Sequence, residues 1–132
     1  MQPLTRGAVL RAAAALLLGG LVAVVGTTMH RSVEPWGLVL SLALVLGSAV
    51  TVRAWSGFSA LIGYAGGLFL LVQLLSQPGP GGDVLVTAQG LLGWTWVIGA
   101  AVATGLAAFA PRAWFRDVRP SSPPAPLAPP AP

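Results

Sequence analysis

Residues 55–77, WSGFSALIGYAGGLFLLVQLLSQ, decide how this chain is read. The stretch carries no charged side chain. From residue 58 to residue 75, at about 1.5 Å per helical residue, it crosses most of a hydrocarbon core of roughly 30 Å. Ser59, Gly63 and Gly67 recur at every fourth position and share one helix face, where a neighbouring backbone can come close. The spacing predicts a membrane-spanning helix over 58–76.

The flanking sequence repeats the pattern. Residues 12–28, AAAALLLGGLVAVVGTT, follow Arg6 and Arg11 without a charge of their own. A basic start before an apolar run is also how a secretory signal begins. However, no A-x-A site follows and the run exceeds a usual signal core, so it is read as a retained first span. Residues 29–35, MHRSVEP, form a polar connection, and Pro35 suits the first turn of the next helix, where its missing N–H is no loss. A second span covers 36–52, with Ala43, Gly47 and Thr51 on one small face. Residues 53–57, RAWSG, are expected as a tight turn. QPGPGG at 77–82 cannot continue a helix. Residues 83–89, DVLVTAQ, read as a loop or interfacial segment. The fourth span covers 91–110, with Gly99, Ala103 and Ala107 on one face and Ala101 and Gly105 on another.

Composition agrees. Of 132 residues, 55% are hydrophobic and 8% charged, with mean hydropathy +0.82. Soluble domains carry roughly 25% charged residues, so too few are present to coat a water-facing globule. The net charge is +4, from arginine without lysine. Those arginines stand in ones and twos beside apolar runs instead of forming a basic face, which argues against nucleic acid. The absence of cysteine removes disulfides, thiolate metal sites, cysteine nucleophiles and a lipoprotein anchor together.

The fold class expected is therefore all-α: an integral membrane bundle of four transmembrane helices over residues 1–119. A disordered, proline-rich tail follows over 120–132, PSSPPAPLAPPAP. Arg6, Arg11, Arg53, Arg112, Arg116 and Arg119 fall on the side of the termini and Arg31 alone falls opposite. The positive-inside rule then places both termini in the cytoplasm of a multi-pass cell-membrane protein. Trp36, Trp94 and Trp96 would mark the outer boundary, and Trp55 and Trp114 the inner one.

Chemistry is sparse. No carboxylate, His, Lys or Arg lies inside a span, whereas proton-coupled carriers keep a carboxylate there at a cost of a few kcal/mol. Small multidrug transporters resemble the chain in size but place a glutamate in the first helix. Small fluoride channels also have four helices, yet carry an Asn- and Arg-bearing signature missing here. Ser59, Tyr64, Gln73 and Thr104 are the candidate polar membrane positions. They either line a polar path or bond backbone carbonyls, which orients helices without transporting anything. Gly63, Gly67, Gly47, Gly99 and Ala103 are the candidate helix-packing positions; their stripes either pack the four helices against each other, the reading preferred because a lone bundle needs such faces, or face a partner protein. Asp83 is the candidate outer-loop residue, a helix cap or, with Glu34 and a solvated His30, an outward acidic group without diagnostic metal spacing. Arg53 and the basic collar at 112–119 suit anionic lipid headgroups. No catalytic constellation, cofactor motif or metal site is expected, so the protein is read as no enzyme.

The segment 76–103, SQPGPGGDVLVTAQGLLGWTWVIGAAVA, resembles the second half of an uncharacterised actinobacterial family of small four-helix integral membrane proteins. There a Pro/Gly turn and a Gly-Asp pair, here Gly82 and Asp83, lead into a Gly/Ala-rich last helix. The resemblance implies the four-helix topology and brings no activity. Two functions stay open: an accessory or structural subunit acting through helix–helix association, with itself or another membrane protein, and a small channel or carrier for a neutral solute, as a homodimer.

Overall fold

A computed structural model describes residues 5–30, 32–78, 81 and 90–115. Three α-helices and a 3-10 turn follow in order: α1 (Arg6–Met29), α2 (Trp36–Leu75), α3 (Leu91–Phe109) and the turn Arg112–Phe115. All three helices are long and apolar enough to cross a membrane. The expected tail at 120–132, the collar residues Arg116 and Arg119, and Asp83 lie outside the described residues.

Local chemistry accounts for the ends. The Thr5 hydroxyl accepts the Ala8 N–H at 3.3 Å, so helix begins at Arg6, six residues before the apolar run. At the other end of α1 the His30 N–H closes on Gly26 O at 3.0 Å. Pro35 occupies the N-cap of α2 instead of its first turn. Gly90, extended at φ −115° and ψ 147°, starts α3, and Pro111 follows its last turn.

The element α2 departs from expectation. In place of a turn over 53–57, helix runs through Ser56 and breaks at one residue, Gly57, whose φ of 78° and ψ of −159° only glycine adopts without strain. The two arms fold back on each other. Residues 48 and 64 would stand about 24 Å apart along a straight helix, yet the Ser48 and Tyr64 hydroxyls are 2.7 Å apart.

Glycine sets the approach of α1 to the second arm of α2. A Cβ on Gly63 would lie 2.7 Å from Ala12 O, one on Gly67 would strike Leu16 O, and one on Gly19 would strike Tyr64 O. The pairs 12–63 and 16–67 keep a constant offset, so α1 and that arm run parallel. The first arm packs antiparallel to α1, with Ser41 Oγ 3.3 Å from Gly26 O and Gly37 against Met29 O. Parallel to that first arm lies α3: Gly99 meets Leu42, while Leu106 and Phe109 share a groove with Leu46 and Val50. Among the expected packing positions, Gly63, Gly67 and Gly99 make close approaches and Ala103 is buried.

Gly47 is a correction. It is exposed with open space where a side chain would go, as are its neighbours on that stripe, Ala43 and Thr51. Turned toward α1 and Tyr64, the first arm buries Ser41, Val45, Ala49 and Val52, so the small stripe points away from the bundle. The outer surface is apolar: Leu10, Leu17, Leu70, Leu91 and Phe109 are more than two-thirds exposed. Trp36 and Trp94 stand exposed near one end, Trp55 and Trp114 near the other. Water would not tolerate such a coat; a bilayer would.

Gly67→Val should destabilise the bundle by about 3 kcal/mol or more, since backbone rather than a flexible side chain stands in the way. Gly47→Val should stay within about 0.5 kcal/mol. Reversible unfolding in mixed micelles measures both, and equal losses would refute the packing assignment.

Candidate functional site

Polar side chains gather at three places along the bundle. Within the bundle, Tyr64 is fully buried; its hydroxyl has one proton to give, to Ser48 Oγ at 2.7 Å or to Val45 O at 3.3 Å, and the shorter contact takes it while Ser48 accepts. Ser48 in turn donates to Leu44 O at 2.6 Å. Tyr64 thus ties the two arms of α2 across the fold-back. Its partner Ser48 was legible only as one more helical serine, because the pairing needs the hairpin to exist first.

The second place is where α1 ends, α2 begins and α3 approaches. Gly26 O receives the His30 backbone N–H at 3.0 Å, and lies 3.2 Å from His30 Nδ1 and 3.3 Å from Ser41 Oγ. Without a Cβ at Gly26, the Trp96 indole can lie against the α1 backbone, where a methyl would strike its ring. There it stacks on His30, with centroids 5.7 Å apart and planes 12° from parallel. Two expectations are corrected here. His30 is not solvated but 0% exposed, and Trp96, at the same end as Trp94, is turned into the bundle and equally buried instead of facing headgroups. The i to i+4 spacing from Gly26 to His30 was the available signal, since it puts both on one helix face. Thr27 Oγ1, His30 Nε2 and Trp96 Nε1 are buried without a hydrogen-bond partner among the described residues.

The third place is the Gly57 break. Arg53, Ala54, Gly57 and Phe115 line a cleft of about 220 Å³ there.

The four candidate polar positions do not converge. Gln73 is exposed and lines a groove of about 400 Å³ with Phe69, Val72, Ser76, Gly93, Trp94 and Val97. Ser59 is exposed and Tyr64 is spent on the α2 hairpin. Thr104 is buried and donates to Ala100 O at 2.8 Å. Most other described hydroxyls do the same: Thr28, Ser32, Thr51, Ser76 and Thr95 each bond a carbonyl one turn back. Hydroxyls used this way line no continuous path. Among the described residues no three of His, Asp and Glu come together, and Glu34 is exposed. The arrangement can brace helices. No family model, curated protein or solved structure matches the chain.

Tyr64→Phe should cost about 0.6 kcal/mol and no more than about 1.7, the range for interhelical hydrogen bonds in membranes. Combined with Ser48→Ala the losses should be non-additive, because each removes the same bond. A double-mutant cycle on micelle unfolding reads this, and strict additivity would refute the pairing.

Proposed function

We propose that this chain is a non-enzymatic accessory or structural subunit that works by helix–helix association, with a second copy or with another membrane protein. It threads the cell membrane four times, the arms of α2 crossing separately, with both termini in the cytoplasm. One observation carries the association: Ala43, Gly47 and Thr51 make an exposed small-residue face, and beyond the adjoining backbone of its own helix no described residue comes within 4 Å of a Cβ placed on Gly47. In lipid, helices associate through such faces because tails are as apolar as leucine and only close packing discriminates. The arginine distribution supports the orientation, six residues against Arg31. The resemblance of 76–103 to actinobacterial four-helix membrane proteins belongs to the same reading.

A second reading, a channel or carrier for a neutral solute, draws on Gln73, which with Trp94 is among the residues lining the groove between α2 and α3.

Single-cysteine labelling tests the threading cleanly, because the sequence contains no native cysteine. In intact cells an impermeant maleimide should label Ser32→Cys but spare Thr5→Cys and Ala113→Cys until the membrane is opened. Opposite faces for Thr5 and Ala113 would refute four crossings. Affinity purification in mild detergent should recover a stoichiometric partner or a dimer, lost in Gly47→Leu. If instead Gln73→Leu abolishes solute flux while assembly persists, the carrier reading replaces this one.

A further inference from the structure

The cleft at the α2 break carries a positive charge that nothing in the described bundle neutralises. Arg53 is half-buried, its guanidinium carbon 5.7 Å from the Phe58 ring centroid. A cation over an aromatic face is held in place without losing its hydrogen-bonding capacity. Its Nε and the Ser56 Oγ are buried and lack hydrogen-bond partners among the described residues. Arginine cannot relieve this by losing its proton, since it stays charged at every accessible pH. Glu34 is the one carboxylate among the described residues. It sits on the connection from α1 to α2, at the opposite end of the bundle from Gly57.

We propose that this cleft binds a phosphate group, with the Arg53 guanidinium as the recognising side chain and the Ser56 hydroxyl as a second donor. A phosphate oxygen pair matches the guanidinium fork in spacing and sign, and needs no further charge. The volume agrees. About 220 Å³ falls below the roughly 300–1,000 Å³ of pockets that enclose whole small ligands, and suits one phosphate entering from the side. Position favours a lipid headgroup as its source. Trp55 and Trp114 stand exposed at this end, where aromatic rings meet the headgroup level. An anionic leaflet also draws arginine to its surface.

This site rests on the membrane-spanning reading above, and the experiment separates the two. The full chain is reconstituted into nanodiscs of mixed phosphatidylglycerol and phosphatidylcholine, then released with its retained lipids and weighed by native mass spectrometry. Chain that never enters the bilayer would sink the membrane reading itself. Inserted wild type should retain phosphatidylglycerol preferentially, and Arg53→Gln should lower that preference about tenfold or more, as expected for losing a charge-assisted hydrogen bond to phosphate. Arg11→Gln removes the same charge near the same end, outside the cleft, and should change it no more than about fivefold, the value for one basic residue at an anionic surface. Arg53→Lys, which keeps charge but lacks the fork, should fall between; with Ser56→Ala it carries the test if Arg53→Gln misfolds. Equal losses at Arg11 and Arg53, or none at Arg53, would overturn the site. Displacement of the retained lipid by millimolar inorganic phosphate would overturn the lipid assignment in favour of a soluble anion.

Discussion

Backbone against backbone is the contact on which the rest depends. In a bilayer no hydrophobic gain rewards bringing two apolar helices together, so association must come from dispersion over surfaces close enough to touch at many atoms. Gly63 and Gly67 on α2 meet the carbonyls of Ala12 and Leu16, and Gly19 returns the contact from α1 onto Tyr64 O. Any side chain at these points would hold the axes apart. With α1 seated there, Tyr64 and Leu68 are fully enclosed, and the first arm of α2 finds a surface to pack on.

The fold-back of α2 is the second constraint, and it needs two unlike ingredients. Gly57 supplies a backbone geometry that β-carbons resist, which lets the chain reverse without a loop. Tyr64 and Ser48 then fix how the arms lie once reversed. Neither suffices alone: a glycine break permits many angles, and a hydroxyl pair can form only across one of them. Most of the other described hydroxyls bond a carbonyl of their own helix, while Ser41 also reaches Gly26 O across to α1.

How much of this was legible follows from which signals are local. The positions of the helices are local: apolar runs, Thr5 as cap, and Pro111 as stop mark them residue by residue. The stripe at 63 and 67 was legible for the same reason, since four-residue spacing alone puts glycines on one face. Which stripes are used is not local. Gly47 has the same spacing as Gly63 but points outward, because the face of the first arm is settled by Val45, Ala49 and Val52 meeting the other helices. His30 and Trp96 failed for a related reason. Each lies near a helix end, where composition suggests solvent or headgroup, and only the gap left by Gly26 reveals that one stacks on the other inside the bundle.

The distribution of unsatisfied polarity carries the functional logic. A hydroxyl or indole N–H buried without a partner is costly in lipid, where no water reaches it. Here such groups stand toward the two ends, Thr27, His30 and Trp96 at one and Arg53 and Ser56 at the other, while Tyr64 and Thr104 between them are bonded. A solute pathway would need the reverse: unspent donors and acceptors through the middle, where a passing molecule must be rehydrated by side chains. The bundle keeps its spare hydrogen-bonding capacity where headgroups, water or a partner can supply the missing atoms.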